Sequence, residues 1–342
     1  MIWPSLEYWW LIPAALALDL AYGDPKLPWR HPVCWIGALI DQLEPVARRC
    51  GGGRPAGALS VAVAVGLVGY VVFALISLPG LIGMLFALYL SWAGLALGGL
   101  LRAGERTLGV FEKGSLPAAR EALSMLVSRD TTVQDFPMLR KSLADTLSEN
   151  LTDAVIAPLF WLAVGGPVGL WCYKTVSTFD SMWGYTTERW RRLGWAGARL
   201  DDVLAYVPAR LSVIFLRLTD LVFRVAARHG GRWPGFRTVA AQARGMASPN
   251  AGWPMTAAAW LLGGRMGGPT VYFGELVDKP WVGPGAAEAH PWDAARLRAL
   301  CRLIRRTSLL GAGVIYVVWL SGTILWWARV LLPSQLTYIQ SL

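Results

Sequence analysis

An all-α integral membrane protein is the fold class this sequence predicts, and three observations predict it. Of 342 residues, 55% are hydrophobic and 16% charged, with a mean hydropathy of +0.43, against about a quarter charged in soluble domains. The apolar residues gather in runs of about twenty instead of recurring at amphipathic spacing. Nineteen tryptophans suit a chain anchored at two membrane interfaces. The same composition excludes disorder, collagen and coiled coil.

The first apolar run, 6–22, contains Ala15-Leu16-Ala17, which imitates a signal-peptidase site, but no Lys or Arg precedes it. It is therefore read as a retained transmembrane helix. The runs 56–78 and 80–101 carry no charge, and each is long enough to cross about 30 Å of hydrocarbon. Only Pro79 separates them, which predicts a helical hairpin. The fourth span is 308–328, closed by Arg329.

The run 154–172 is also free of charge, but Gly165-Gly166-Pro167 interrupts it. Met1 to Ser5 has no basic residue, whereas Gly23 to Pro55 has five, among them Lys26, Arg30 and Arg48. The positive-inside rule then puts the N-terminus outside. The hairpin returns the chain inside, where Arg102 to Asp153 carries seven basic residues. A crossing at 154–172 would strand Lys174, Arg189, Arg191, Arg192 and Arg199 outside, so a re-entrant or protein-buried broken helix is expected there. The fourteen residues 251–264 fall in the same class. The stretch 203–225, interrupted by Arg210, Arg217, Asp220 and Arg224, reads as an interfacial amphipathic helix, because Arg at mid-bilayer costs at least about 2.5 kcal/mol. About four transmembrane helices in a single membrane domain, 1–342, thus carry a mostly cytoplasmic-side region, 102–307, that holds the site.

The net charge of +10 comes without any block of Lys and Arg interleaved with aromatics, so no nucleic-acid partner is expected. Topology and lipid headgroups account for it better. Cys34, Cys50, Cys172 and Cys301 form no CxxC and no metal spacing, and read as reduced and structural. Walker A, GxGxxG, GxSxG and HExxH motifs do not occur in the sequence.

Acids and bases at the ends of apolar runs are the functional candidates. Asp24, in Gly23-Asp24-Pro25 after the first run, opposes the helix dipole and wants a partner; a plain helix stop explains Gly23 and Pro25 equally well. His31 follows. On a helix, Glu149 and Asp153 share a face, where a cation would reverse their repulsion. With Asn150 they make a hard-oxygen set suited to Mg²⁺, or a solvated acidic face. Lys174 and Arg210 suit phosphate or simple snorkelling. The glycine loop around Gly267-Gly268-Pro269 offers backbone N–H groups to an anion, or an ordinary turn. His229 and His290 read as surface residues.

Together these blocks resemble the CbiB/CobD family, the adenosylcobinamide-phosphate synthases of cobalamin biosynthesis. The resemblance runs through Gly23-Asp24-Pro25, His31-Pro32-Val33, Arg129-Asp130-Thr131, Glu149-Asn150, Asp153, Ile156-Ala157-Pro158-Leu159-Phe160 and Gly165-Gly166-Pro167. It continues through Tyr173-Lys174, Asp180-Ser181-Met182, Asp201-Asp202, Pro208-Ala209-Arg210-Leu211, Ser248-Pro249-Asn250-Ala251-Gly252 and Lys279-Pro280. The chain departs from the family pattern at Ser177-Thr178-Phe179, Ser128, Gln242 and Met246.

The resemblance implies a ligase of the inner (cytoplasmic) membrane with its site on the cytoplasmic side. It would join the free propionate of adenosylcobyric acid to (R)-1-aminopropan-2-ol O-phosphate, or a related amino-alcohol phosphate, at the expense of ATP. It further implies Mg²⁺ on Glu149, Asn150, Asp153 and Asp180, phosphate and substrate contacts from Arg129, Lys174, Arg210, Ser248, Asn250 and Lys279, and a base among Asp24, His31 and Asp130. Other late cobalamin-pathway enzymes are expected partners. Apolar and Trp surfaces would hold the corrinoid as substrate, since no Asp-x-His-x-x-Gly sequence is present. A corrinoid transporter and a non-catalytic scaffold for the late enzymes are the rival readings.

Overall fold

The computed structural model describes residues 8–25, 31–185, 187–272 and 274–340. Residues 6 and 7 of the first expected span, and Lys26 and Arg30 of the charge argument, lie outside them. In chain order the helices are α1 (Leu11–Tyr22), α2 (Pro32–Arg49), α3 (Arg54–Ile76), α4 (Leu81–Gly94), α5 (Leu97–Glu112), α6 (Leu116–Ser124) and α7 (Phe136–Asn150). A π-helical turn (Leu151–Ile156) joins α7 to α8 (Ala157–Trp183). Then come α9 (Trp195–Leu204), α10 (Tyr206–Phe223), α11 (Val225–His229), α12 (Phe236–Ala243) and α13 (Gly252–Leu262), strands β1 (Met266–Gly267), β2 (Thr270–Tyr272), β3 (Glu275–Val277) and β4 (Trp281–Val282), and α14 (Ala294–Gln340). The protein is an all-α integral membrane protein. Among the described residues its sheet is limited to two antiparallel ribbons, β1 with β4 and β2 with β3.

Among the described residues, four helical stretches are long and apolar enough to cross a bilayer: Arg54–Ile76, Leu81–Glu112, Phe136–Trp183 and Ala294–Trp326. Helix α3 has the inverted pattern of a membrane helix. Its buried side carries Ala56, Gly57, Ser60 and Ala64, while Leu59, Val63, Leu67 and Tyr70 point outward. Small residues inside let backbones approach closely. A Cβ at Gly57 would stand 2.0 Å from the Leu193 carbonyl oxygen.

The expected run 80–101 is two helices, because Leu95 is extended (φ −91°, ψ 151°). Helix α5 then continues well past Leu101, to Glu112. Helix α1, with 12 residues, measures about 18 Å, less than the hydrocarbon thickness. The segment 154–172 is broken where expected, at Gly165 and Gly166 (φ 61° at the latter), and Pro167 restarts the helix.

The chain forms two compact units. Unit 1 comprises Met1–Leu95, Pro158–Gly197 and Ala312–Leu342, and unit 2 comprises Ala96–Ala157 and Ala198–Gly311. In unit 1, Trp171 is buried on α8 and donates its indole N–H to the Leu90 carbonyl at 2.9 Å. Phe179, Trp183 and Trp190 form an aromatic stack beside it in sequence. In unit 2, α13 is apolar on every side, and each residue from Pro254 to Leu262 is buried, as that pattern requires. It packs against α7, α10 and α12.

Candidate functional site

Unit 2 holds a small polar cavity of about 160 Å³ lined by Arg129, Asp145, Glu149, Ser248, Lys279 and Gly267, together with Met246, Ala247, Ala251, Met255 and Thr270. Asp145 organises it. This α7 carboxylate is 2% exposed. Its Oδ2 accepts from Arg129 Nη1 at 2.8 Å and from Lys141 Nζ at 3.3 Å, and its Oδ1 accepts from the Gly267 N–H at 3.1 Å. Lys141 also donates to the Gly267 carbonyl. The glycine loop does offer a backbone N–H to an anion, and that anion is the chain's own Asp145. Gly267 sits at φ 75°, where a Cβ would lie 2.4 Å from the Pro280 carbonyl oxygen, so glycine is required there.

Arg129 is anchored further by Ser142 Oγ (3.2 Å), which itself donates to Gln134 Oε1 at 2.9 Å. Burial disfavours the Arg129 charge, but Asp145, through its charge and its hydrogen bond, together with Tyr272 and Glu149 outweighs it, and the guanidinium pKa lies above its usual value. Glu149 lies one helical turn beyond Asp145 and, among the described residues, makes no hydrogen bond or ion pair. The charges of Arg129 and Lys279 reach it. Lys279 donates to the Tyr272 hydroxyl at 2.6 Å and has no carboxylate within 4.0 Å among the described residues. The start of α13 closes the cavity through Ser248 and Ala251. Ser248 Oγ accepts from the Asn250 and Ala251 N–H groups at 3.2 and 3.4 Å. The start of a helix, the Lys279 ammonium and the Arg129 guanidinium thus face one cavity, an arrangement whose charge favours an anion.

Unit 1 brings together a second group. His31 caps α2, its Nδ1 accepting from the Val33 N–H at 3.3 Å, which leaves the ring proton on Nε2. Burial lowers the His31 pKa; the Asp24 charge raises it and the Lys174 charge lowers it again, and the net shift is downward. Asp24 is exposed. Gly23 ends α1 with its N–H on the Asp19 carbonyl, and its own carbonyl accepts from Trp92 Nε1 at 2.7 Å. The helix-stop reading therefore holds for Gly23, while the Asp24 charge acts on His31.

The other candidates are dispersed. Asp130 is spent on its own turn, its Oδ1 accepting from the Thr132 N–H (2.9 Å) and Oγ (2.6 Å), and these bonds lower its pKa. Arg210 donates to Asn250 Oδ1 at 2.6 Å and lies over the Trp253 ring at 4.5 Å; Asn250 in turn donates to the Asp202 carbonyl. The pair locks α10 to the turn before α13. The Asn150 amide donates back to Thr146 within α7. Asp153 sits on the π-helical turn and Asp180 near the end of α8 in unit 1. Sequence reasoning passed over Asp145 and Lys141, whose only signal was the spacing of polar residues Ser142, Asp145 and Glu149 along one helix face.

Comparison with known proteins decides the family. The sequence profile of a family described as CobD/Cbib protein matches residues 12–304. The chain is 40% identical to a "Cobalamin biosynthesis protein CobD" of Pelobacter propionicus, over 87% of this chain and 91% of that one. It is 36% identical to the protein of that description from Rhodobacter capsulatus (90% and 98%), and 35% identical to a "Cobalamin biosynthesis protein CbiB" of Salmonella choleraesuis (82% and 89%). No solved structure matches. The chain belongs to the CobD/CbiB family.

As a CobD/CbiB cobalamin biosynthesis protein, it was expected to hold Mg²⁺ on Glu149, Asn150, Asp153 and Asp180. These residues do not fit an all-protein metal cage. The Asn150 amide nitrogen is bonded to Thr146, and Asp153 stands on the π-helical turn beyond α7. Among the described residues no three His, Cys, Asp or Glu side chains gather as a metal set. A nucleotide-borne Mg²⁺ keeps mostly phosphate and water ligands and needs only one or two carboxylates. Of the departures from the CobD/CbiB pattern, Met246 lines the cavity. Gln242 instead clips α12 to the Trp260 indole and to the backbone of Gly283.

Proposed function

We propose that this CobD/CbiB protein is an ATP-dependent amide ligase of the inner membrane. It would join the free propionate of adenosylcobyric acid to (R)-1-aminopropan-2-ol O-phosphate, or a close relative, giving adenosylcobinamide phosphate on the cytoplasmic side. The observation that carries the reading is the unit 2 cavity, in which Arg129, Lys279 and the start of α13 face one uncommitted carboxylate, Glu149. That charge pattern complements a small phosphorylated amine, with phosphate on the cations and helix N-terminus and ammonium toward Glu149. A volume of about 160 Å³ suits such a molecule and leaves the corrinoid ring outside.

A carboxylate is a poor acyl donor, so ATP must first transfer a phosphoryl or adenylyl group to the propionate oxygen. The C–O bond to phosphate breaks, and a second N–H proton leaves with the phosphate, once the amine has attacked the carbonyl carbon, for which the bound ammonium must first give up a proton. Glu149 is assigned that proton. Asp130 is bound to Thr132, and His31 presents Nε2–H as a donor, so neither is as well disposed; Asp24 remains the acceptor of unit 1. Lys279 and Arg129 stabilise the phosphate charge in a largely dry site.

Full-length protein in detergent, given adenosylcobyric acid, the amino-alcohol phosphate and ATP, should yield a product heavier by the amine less one water in mass spectrometry, with ATP consumed only when both partners are present. Corrinoid flux into liposomes without bond formation would favour the transporter, and tight corrinoid binding without turnover the scaffold.

A further inference from the structure

Unit 2 carries a second basic cavity, which shares no lining residue with the first. Helix α10 and the first part of α14 run antiparallel. Phe215 meets Gly311, Thr307 Oγ1 donates to Thr219 Oγ1 at 3.1 Å, and the Arg306 guanidinium lies 4.5 Å over the Phe223 ring. Where α10 ends, Arg224 takes a left-handed conformation (φ 49°) and turns the chain into α11. Between these elements is a cavity of about 220 Å³ lined by Arg228, His229, Arg302 and Arg306, with Phe223 and Leu303 as apolar walls.

No carboxylate lines it. Of the nearby acids, Asp220 is committed to Arg217 (2.7 Å) and to the Ala226 N–H, and Glu112 to Arg298, while Glu105 reaches Cys301 on α14 without lining the cavity. Among the described residues Arg228, Arg302 and Arg306 have no acid within 4.0 Å. The field is strong enough that burial together with Arg302, Arg296, Arg228 and Arg306 lowers the His229 pKa. Clustered cations without a counter-charge repel, so an anion is needed to cover them.

Two features identify the carrier of that anion. The outward face of α10 is a bare apolar strip of Ile214, Leu218, Leu221 and Val222, which are 36–65% exposed, and the strip ends one residue before the cavity-lining Phe223. The arginines of α14 also stand immediately before its apolar run, where basic residues that flank a membrane span meet lipid headgroups. A soluble phosphate would satisfy the arginines and leave the strip in water; a phospholipid satisfies both. We propose that this cavity binds the phosphate headgroup of an anionic phospholipid, whose acyl chains lie along the exposed face of α10.

The test uses full-length protein in detergent, titrated with phosphatidylglycerol or phosphatidylcholine and read by native mass spectrometry and by the thermal midpoint. Phosphatidylglycerol should bind and raise the midpoint, and phosphatidylcholine should not. Arg302→Gln with Arg306→Gln should weaken phosphatidylglycerol binding about thirtyfold, while Arg237→Gln with Arg305→Gln, the same loss of charge outside the cavity, should not. If the first pair fails to fold, the exposed Arg228→Gln replaces it, with about a fivefold loss expected. Equal response to both lipids, equal loss in the control pair, or equal protection by inorganic phosphate would overturn the assignment, the last pointing to a free-phosphate site.

Discussion

The polar groups of the two units solve opposite problems. In unit 2, Asp145 is sunk to 2% exposure, and each of its oxygens is taken, by two cations on one side and a backbone N–H on the other. In unit 1, Asp24 is exposed and acts on His31 through space, as Lys174 does with the opposite sign. The comparison teaches that a fully bonded charge is scaffold and an uncommitted one is available for chemistry. Within the unit 2 cavity that contrast is repeated on a single helix: Asp145 holds the walls together and Glu149, one turn on, is left free.

The sharpest way to break this comparison is to remove each acid in turn. Asp145→Ala leaves Arg129 and Lys141 buried without a counter-charge and should cost about 3–5 kcal/mol, visible as a large fall in the thermal midpoint. Asp24→Ala should change stability by no more than about 0.5 kcal/mol. Equal effects would show that Asp145 is not the hub its geometry implies.

Glu149→Gln separates scaffold from chemistry. It keeps the shape of the side chain and breaks no bond among the described residues, so the midpoint should hold while amide formation falls at least about a hundredfold. Lys279→Met should act more weakly and on binding. Losing one charge-assisted contact to phosphate, about 1.5–3 kcal/mol, should raise KM for the amino-alcohol phosphate about tenfold or more, with a smaller change in kcat.

Much of the fold could be read from the sequence because membrane helices announce themselves by uninterrupted apolarity. The break at Gly165-Gly166-Pro167, the helix over Arg54–Ile76 and the apolar part of α14 are all explicit in residue type. The division of 80–101 at Leu95 was not, since Ala93-Gly94-Leu95-Ala96 contains no proline and no polar residue. Nor was the continuation of α5 through Arg102–Glu112, where charges sit on a helix that a hydropathy reading ends. In the site, Arg129, Glu149, Ser248 and Lys279 were legible from residue type and resemblance, and the structure gathers them in one cavity. Asp145 was not, because its role depends on Arg129, sixteen residues before it, and on a glycine N–H more than a hundred residues after it. A polar residue in the middle of a helix carries no local sign of distant partners.

The smallest predicted effect tests the through-space side of the comparison. Burial holds the His31 pKa below its ordinary value near 6.5, so below that pH the folded chain binds fewer protons at this ring than the unfolded chain does. The sign follows from linkage: the stability tied to neutral His31 is complete above about pH 6.5 and is lost as pH falls from there through the folded-state pKa. Thermal midpoints measured from pH 7 to pH 5 should therefore decline. Lys174→Met removes a charge that lowers the His31 pKa, so the decline should become shallower, whereas Asp24→Asn removes one that raises it and should steepen the decline. His31→Asn keeps an N-cap for α2, since Asn is a favoured capping residue, but cannot titrate, and in that variant the imidazole's share of the decline should vanish. A decline unchanged in all three variants would mean that the imidazole is not coupled to its neighbours, and the contrast between the two units would have to be drawn without it.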